Sequence, residues 1–253
     1  MITIDSTLTL VTGLHIGGAD DSMRIGGVDS PVMNREVFCN EKGEIGFGYK
    51  RKIREPYIAG SSLKGKLRTL LEHYFGLVDP IEGGKPVGSD STHGEKKYRD
   101  LIVTLFGDSA DGRKANEKSK EESKEFEITR AIFRDCFITK NVREAYLADK
   151  IKLFETKYEN VIDRKTGTTI SGGLRQIERV PSAVEFDFTL SIRVFEGDNE
   201  ELFKNTIILG LRLLELDALG GNGSRGYGRV RFDGIDGKIK DLRKKIDDAV
   251  NQN

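Results

Sequence analysis

Five glycines within nine residues mark the segment Leu219-Gly220-Gly221-Asn222-Gly223-Ser224-Arg225-Gly226-Tyr227-Gly228-Arg229-Val230. Glycine has no Cβ, so it adopts positive φ readily and lets the backbone approach a ligand closely. Successive N–H groups in such a turn form an anion-binding concavity. Arg225 and Arg229 add cations suited to phosphate, and Tyr227 is suited to stack on a base. A helical pattern precedes this glycine-rich loop and a strand pattern follows it, which favours a fixed phosphate-binding turn over a flexible surface loop.

The composition restricts the class of protein. The 253 residues are 37% hydrophobic and 32% charged, and 41 basic side chains balance 41 acidic ones. Such a chain suits one large domain or two small ones, and no run is apolar and long enough to cross a membrane. Two isolated cysteines and three histidines argue against disulfides and a zinc site. With no signal peptide, the sequence predicts a cytoplasmic protein.

Charge is segregated along the chain although it sums to zero. The stretch Lys50–Arg68 contains seven Lys or Arg side chains and a single acidic residue, Glu55, whereas acidic side chains collect at 121–127. A local basic stripe of this kind is compatible with nucleic-acid binding. Opposite charges on two faces of one subunit also fit head-to-tail association of copies.

Hydrophobic periodicity predicts the core elements. Alternation predicts strands at 3–12, 129–139, 184–194 and 230–235, and helical spacing of leucines predicts helices after Ser61 and up to Gly220. Apolar residues on both faces of 129–139 favour a central strand. This order predicts an α+β fold with a ferredoxin-like or RRM core (βαββαβ) in one domain, residues 1–253. Two insertions are expected, a partly mobile helical lid at about 78–127 and a long β-hairpin at 154–181.

The first predicted helix begins with residues that suit an anion site. Ser61 or Ser62 is a good N-cap. Lys64 and Arg68 are four residues apart and therefore share one helix face. Free N–H groups, the helix dipole and these cations favour phosphate binding over an ordinary solvated basic face.

Two polar side chains lie in loops after the first strand, and each allows two interpretations. His15 is either a contact to phosphate or ribose, or a loop histidine that hydrogen-bonds locally. Asp29 is either a carboxylate that binds a divalent cation or activates a hydroxyl, or the side chain of an Asx-turn. On the residues alone, the local interpretation is favoured for both.

Seven motifs, weak singly and specific together, follow one another along most of the chain. They are Leu14–Gly18, Gly27–Val32, Gly60–Arg68, Leu105–Gly107, Glu159–Arg164, Arg175–Arg179 and Gly220–Gly228. Through them the sequence resembles the repeated backbone subunit of type III CRISPR effector complexes, in the RAMP superfamily, and most closely the III-A (Csm) branch. Nothing is carried over to 78–123.

The resemblance implies copies arranged head to tail along a guide RNA, together with other Csm subunits, a complementary target RNA and no membrane. The hairpin at 154–181 matches the thumb that the family inserts into the guide–target duplex. The residues expected to bind RNA are His15, Ser61, Ser62, Lys64, Arg68, Arg175, Gly221, Gly223, Arg225, Gly226 and Tyr227.

Asp29 falls on the position with which the family cuts target RNA once per subunit, using a divalent cation, Mg²⁺ or Mn²⁺. The resemblance therefore reverses the Asx-turn interpretation. It makes Asp29 the expected catalytic and metal-binding residue of a metal-dependent endoribonuclease that acts by 2′-hydroxyl transesterification. Asp135, Glu155 and Glu159 are candidate helpers, although each is more typical of a salt bridge.

Two other functions stay open at this point. A scaffold subunit that binds guide RNA without cutting it needs the same glycine and basic motifs, and only Asp29 favours cleavage. A metal-independent endoribonuclease that processes guide RNA, which RAMP relatives also provide, would use His15 as general base. The long hairpin and the Asp29 motif argue against that second alternative.

Overall fold

The structure is a computed structural model that describes residues 1–18, 30–81, 84–108 and 128–252. Within these ranges the strands are β1 (Ile2–Leu10), β2 (Asn34–Cys39), β3 (Arg51–Ile58), β4 (Ala131–Phe133), β5 (Cys136–Phe137), β6 (Glu155–Glu159), β7 (Arg175–Arg179), β8 (Glu185–Ile192) and β9 (Val230–Phe232). The helices are α1 (Gly60–Tyr74), α2 (Lys96–Phe106), α3 (Lys140–Leu147), α4 (Glu200–Leu216) and α5 (Ile239–Val250). None of these helices combines the length and apolar composition needed to cross a membrane.

A four-stranded antiparallel sheet in the order β4-β8-β1-β9 forms the centre of the fold. Its best-patterned strand is β8, in which Phe186, Phe188, Leu190 and Ile192 alternate on one face and are all buried. They share one hydrophobic core with leucines of α1 and α4. Along the chain, β1, α1, β4, β8, α4 and β9 follow the predicted order of strand, helix, strand, strand, helix, strand, with further elements between them.

Close packing of α1 on α4 explains the spacing of the leucines in the first helix. Leu63, Leu67 and Leu71 recur every four residues and are fully buried. On α4, a Cβ added at Gly210 would lie 3.2 Å from Leu71 Cδ1. Gly210 therefore lets the two helices approach closely, and the predicted buried stripe of α1 is confirmed.

The start of α1 differs from the prediction. The N-cap is Ala59, in extended conformation and with no side-chain cap, so the expected capping by Ser61 or Ser62 is wrong. Instead the backbone N–H of Gly60 donates to Asp135 Oδ1 at 2.8 Å. Asp135 reaches this position from the linker between β4 and β5, so a carboxylate of the protein itself already interacts with the helix N-terminus.

The prediction of one central strand over 129–139 is also wrong. The segment forms two short strands, and β4 lies at the edge of the central sheet, where it pairs only with β8. β5 pairs with β3 in a separate sheet of order β2-β3-β5. The segment still follows β8 beyond β4, because Ile138 bridges to Phe186 and Thr139 N donates to Glu185 O at 3.0 Å. Regular pairing is therefore interrupted at Arg134 and Asp135, and β5 gains β3 as a second neighbour.

Part of the expected lid at 78–127 is a core element. The buried residues of α2 include Tyr98, Leu101 and Phe106, and the Tyr98 ring stacks on Phe75 with centroids 4.7 Å apart. The helix ends at its C-cap Gly107, which has φ +91°. Residues 82–83 and 109–127 of the insertion lie outside the described residues.

The predicted hairpin at 154–181 is present. β6 and β7 pair antiparallel, from Glu155 opposite Arg179 to Glu159 opposite Arg175. Beyond the paired strands, a bridge between Ile162 and Thr169 extends the hairpin toward its turn. Its base adjoins the loops that follow β1 and precede β9.

Candidate nucleic-acid interface

The glycine-rich loop is a closed turn, as its sequence predicts. It leaves α4 and enters β9 with Leu219 N donating to Gly228 O at 2.8 Å. Gly228 has φ +73°, and a Cβ there would lie 1.9 Å from Leu219 O. Only glycine fits this closure. Between the two ends, a 3-10 turn over Gly223–Arg225 presents Arg225 to solvent.

Backbone hydrogen bonds attach this loop to the loop after β1. Gly221 N donates to His15 O at 2.8 Å, and Gly228 N donates to Gly13 O at 2.9 Å. A Cβ at Gly220, where φ is +75°, would lie 2.3 Å from His15 O. The glycines therefore permit close contact between two loops, and Gly221 and Gly226 stay exposed to a ligand.

His15 is a buried bridge between three segments. Its Nδ1 lies 2.7 Å from the carbonyl oxygen of Glu178, and its Nε2 lies 3.1 Å from Ser30 Oγ. A carbonyl oxygen only accepts, so Nδ1 carries the proton, and in the neutral ring Nε2 accepts from the Ser30 hydroxyl. Both ring nitrogens are used within the protein, so the expected contact of a free ring nitrogen with phosphate is not available in this arrangement.

Glu178 holds the segment that begins at Ser30. Glu178 N donates to Ser30 O at 3.1 Å, and Val32 N donates to Glu178 Oε2 at 2.9 Å. Arg54 makes two hydrogen bonds of 2.9 and 2.8 Å to the same carboxylate. Such bidentate pairs fix geometry. Asp29 itself lies outside the described residues; its neighbour Ser30 is tied to β7 and to His15.

The basic stretch does not form a free stripe of cations. Arg54 pairs with Glu178, Lys52 with Glu36 and Lys66 with Asp217. Carboxylates from other parts of the fold therefore match several charges of this stretch, whereas Lys50 and Arg51 are exposed.

Arg68 has a structural environment. Its Nε donates to Glu72 at 2.7 Å and its Nη1 to the carbonyl of Gly107 at 3.0 Å, while Nη2 donates to the carbonyl of Val87. Only 12% of the side chain is exposed. Its donors join α1 to two loops within the protein, and the expected RNA contact of Arg68 stays a prediction. Ser61 is exposed, and Ser62 and Lys64 are partly exposed.

Tyr227 connects the glycine-rich loop to the hairpin. Its ring is 1% exposed and lies beneath Lys157 and Arg179, whose cationic groups are 4.3 and 5.2 Å from the ring centroid. Its hydroxyl donates to Glu159 Oε1 at 3.0 Å, and Arg225 Nη1 donates to Glu159 Oε2 at 3.0 Å. The ring is buried in this arrangement, and the expected stacking of a base on Tyr227 stays a prediction that requires these contacts to open.

The Tyr227–Glu159 contact shifts both pKa values. Burial raises the pKa of Tyr227 to about 12, and the adjacent Glu159 carboxylate acts in the same direction. Burial alone would raise the pKa of Glu159, but the Tyr227 hydrogen bond and the charges of Arg225 and Lys157 outweigh it and lower that pKa. The folded state therefore favours a neutral phenol beside an ionised carboxylate.

We expect the Tyr227→Phe variant to lose less unfolding free energy than the wild type when the pH is raised into the alkaline range. With the folded-state pKa of Tyr227 above its unfolded value of about 10, its contribution is complete below pH 10 and is lost as pH rises through about 12. Between those values the wild type should lose on the order of 1–3 kcal/mol more unfolding free energy than the variant. Urea unfolding at a series of pH values measures this difference. Tyr158→Phe, at a largely exposed tyrosine of the same hairpin, is the control, and equal curves for all three proteins would contradict the prediction.

An open groove lies between the hairpin and the glycine-rich loop. Its charged lining is net cationic and consists of Lys157, Arg164, Arg175, Arg225, Glu159 and Asp163. The fold thus brings Arg175 and Arg225 to one surface, beside the exposed backbone of Gly226. Gly223 is partly exposed in the same turn. Phosphate is the ligand chemistry that such cations and accessible backbone suit.

Comparison with known proteins places the chain in a family. A model of the RAMP superfamily matches residues 7–231. The chain belongs to the RAMP superfamily. It is 35% identical, over 91% of its length, to a protein of Methanocaldococcus jannaschii of which it covers 78%. It is 36% identical, over 92% of its length, to proteins of Streptococcus thermophilus and Mycobacterium tuberculosis, and covers 87% of each. All three are named CRISPR system Cms endoribonuclease Csm3, and the resemblance to this branch of the RAMP superfamily is confirmed.

The described part of this RAMP chain does not supply a metal site by itself. No group of three or more His, Cys, Asp or Glu side chains in residues 1–18, 30–81, 84–108 and 128–252 is arranged to hold an ion. The three candidate helpers have other partners. Asp135 accepts from Gly60 N, Glu155 pairs with Arg179, and Glu159 pairs with Arg225. Asp29 lies outside the described residues, and its metal-binding role stays a prediction.

Sequence reasoning on the RAMP motifs missed the clamp formed by Arg54 and Glu178. Both residues lay in segments already singled out, the basic stretch and the motif Arg175–Arg179. The available signal was the position of Glu178, which together with Arg179 stands between apolar Ile177 and Val180, both of which are buried. A carboxylate in such surroundings needs a cationic partner.

Proposed function

We propose that this RAMP chain is the guide-RNA-binding backbone subunit of a type III CRISPR complex and cleaves complementary target RNA at regular intervals, once per subunit. Its proposed partners are guide RNA, target RNA, further copies of itself and other Csm subunits. The observation that carries the proposal is the junction of the His15 loop, the segment after Asp29 and the glycine-rich loop beside a cationic groove. The printed names of relatives similar over most of the chain support it.

We assign the central sheet, with α1 and α4, to a ferredoxin-like core of one domain. The sheet order β4-β8-β1-β9 and the connection order of its elements support this assignment. The β6–β7 hairpin is proposed as the thumb and the segment 78–127 as an inserted lid. The ion pair and hydrogen bond at Glu159 would set the angle between thumb and glycine-rich loop.

The proposed reaction is an internal transesterification of RNA. The 2′-oxygen next to the scissile phosphate forms a bond to phosphorus, and the bond from phosphorus to the 5′-oxygen breaks. The 2′-hydroxyl loses its proton and the 5′-oxygen gains one, which leaves a cyclic phosphate and a 5′-hydroxyl. Positioning of the attacking oxygen in line with the leaving oxygen supplies a large part of the acceleration, and the groove and glycine-rich loop would hold the flanking phosphates.

A divalent cation, Mg²⁺ or Mn²⁺, is part of the proposal through Asp29 alone. One carboxylate is a sparse ligand set, but magnesium commonly keeps several waters and borrows phosphate oxygens. Bound there, the cation would supply charge stabilisation at the reacting oxygens. The chain's own residues then bind the RNA and hold the segment after Asp29 in place through Glu178 and Arg54.

We expect the assembled complex to cut complementary RNA at regular intervals in Mg²⁺ and to lose cutting, but not target binding, when EDTA is added. The reason is that the cation acts on the reacting oxygens whereas guide pairing and phosphate contacts hold the target. Gel analysis of end-labelled target, with binding measured by mobility shift in the same buffers, tests this. Cutting that persists in EDTA would favour metal-independent chemistry, and binding without cutting in any divalent cation would favour the scaffold alternative.

The metal-independent alternative has little support from the geometry. A general base must reach the proton that it abstracts, and His15 is buried with both ring nitrogens hydrogen-bonded within the protein. The scaffold alternative shares every RNA contact with the proposal and differs only in Asp29.

A further inference from the structure

The β2–β3 ribbon has an outward face that carries an aromatic side chain beside charged ones. Phe38 lies opposite Lys52, and Glu36 lies opposite Arg54, in the antiparallel register of the two strands. Phe38 remains 45% exposed, whereas its neighbours on the other face pack with α3 in a small core formed by Val37, Cys39, Ile53 and Leu147. The outward face is therefore exposed around Phe38, although it carries a large aromatic ring there.

The tip of this ribbon presents a second aromatic ring. Phe47 is fully exposed, the most exposed large hydrophobic side chain among the described residues. The tip is ordered, because Gly46 N donates to Phe38 O at 3.1 Å and Tyr49 N donates to Gly46 O at 3.2 Å. Phe47 is flanked by Gly46 and Gly48, which have no side chains. The space beside Gly48 is open, since a Cβ added there would meet no atom within 4 Å. A flat ligand can therefore reach the Phe47 ring.

Cations follow the same ribbon. Lys50, Arg51 and Lys52 are all exposed. Lys52 pairs with Glu36, but both side chains of the pair are more than half exposed, and such pairs are weak enough to exchange with another anion. The ribbon thus combines aromatic faces with positive charge, a combination that suits single-stranded nucleic acid.

The ribbon is continuous with the candidate interface. Arg54, on the same outward face, binds Glu178, and its guanidinium lies 4.2 Å from the centroid of the Phe154 ring at the base of the hairpin. The strip from Arg54 through Lys52 and Phe38 to Phe47 therefore begins at the clamp that holds the segment after Asp29.

We propose that the outward face of the β2–β3 ribbon binds single-stranded RNA, with Phe47 stacking on a base and Lys50 and Lys52 contacting phosphates. This inference rests on the proposed function in that RNA is the ligand. It also accounts for the buried position of Tyr227: the exposed aromatic platform lies on a different element. A protein partner is less favoured, because the apolar part of the face is small and interleaved with cations, whereas protein interfaces are depleted of Lys at their core.

The test is binding of fluorescein-labelled oligouridylate to the purified full chain, followed by anisotropy. Phe47→Ala is expected to weaken binding by about 5- to 100-fold, the usual loss for one stacked base. Phe47→Trp should retain wild-type affinity, and Phe47→Leu should lose it, because leucine keeps the apolar surface without a π-face. Ile81→Ala, at another highly exposed apolar side chain, should have no effect. Full exposure of Phe47 means that these substitutions leave the core intact, which circular dichroism verifies.

The outcomes separate this inference from the proposed function. If the wild type binds RNA with affinity that falls steeply between about 50 and 200 mM salt, and all Phe47 variants bind equally well, the ribbon proposal is overturned and the proposed function stands. If the wild type does not bind RNA, both fail. If Phe47→Leu binds as tightly as the wild type while Phe47→Ala does not, the stacking proposal is overturned and the face is an apolar docking surface. Sedimentation would then test whether a second copy of this chain, rather than RNA, is its ligand.

Discussion

Replacing Asp29 with alanine is expected to abolish the regular cuts in target RNA, lowering the cleavage rate by at least about 100-fold. Target binding by the assembled complex should be unchanged, because binding comes from guide pairing and from phosphate contacts. The reason is that Asp29 is the proposed protein ligand of the cation, and the described residues contain no cluster of acidic or imidazole side chains to replace it. Cleavage of end-labelled target in Mg²⁺, with binding measured in parallel, gives both quantities.

Two further variants make this result specific. Asp29→Asn keeps the size and most hydrogen bonds of the side chain but removes its charge, so it should be nearly as inactive as Asp29→Ala. Asp248→Ala removes an exposed carboxylate on α5 and should cut at the wild-type rate. If Asp29→Ala still cuts at the wild-type rate, Asp29 is a turn residue and the chain is a scaffold or cuts with other groups. If both Asp29 variants lose binding as well, the segment after Asp29 positions RNA, and the catalytic assignment does not hold.

Local pattern was sufficient to predict the central elements. The alternation of Phe186, Phe188, Leu190 and Ile192 corresponds to β8, and the leucine spacing from Leu63 corresponds to the buried stripe of α1. These predictions are correct because each element buries one face against a single core. The spacing of apolar residues along the sequence then shows directly which side chains are buried. The glycine-rich loop was predictable for a related reason: Gly220, Gly226 and Gly228 adopt the positive φ that favours glycine.

The partners of polar side chains could not be predicted in the same way. Tyr227 and Arg68 are residue types that suit RNA, but they also suit burial against a partner distant in sequence. Tyr227 reaches Glu159 across 68 positions, and Arg68 reaches the Gly107 carbonyl across 39. No local period encodes such pairings. The balanced charge of the chain is consistent with this result, because many cations are matched within the fold.

The prediction of a single central strand at 129–139 was wrong for a different physical reason. Apolar residues on both faces indicate burial on both faces, but they do not say whether one sheet or two sheets provide it. Here β4 pairs with β8 and β5 pairs with β3. Asp135, at the junction, accepts the N–H of Gly60, a contact that only the assembled fold creates.

Glu55, the single acidic residue of the basic stretch, is the centre of a buried ion network. Its side chain is fully buried and accepts from Arg35 Nη2 at 2.6 Å and Arg143 Nε at 2.8 Å. Arg143 also donates to the carbonyls of Gly43 and Ile138, at 2.9 and 3.1 Å. The network joins β2, β3 and α3, so removal of the carboxylate leaves two guanidinium groups without their anion in a poorly solvated site.

We expect Glu55→Ala to lower the free energy of unfolding by about 3–5 kcal/mol, the cost of leaving a buried charge uncompensated. Glu36→Ala on the adjacent strand is a matched control, because Glu36 pairs with Lys52 but both side chains are largely exposed, and the loss there should be below about 1 kcal/mol. Urea unfolding of the two variants and the wild type gives the three free energies. Glu55→Gln should fall between them, since an amide oxygen still accepts one hydrogen bond but carries no charge. If Glu55→Ala and Glu36→Ala lose the same small free energy, the buried network contributes no more than a surface pair, and the β2–β3 ribbon is held by its small apolar core instead.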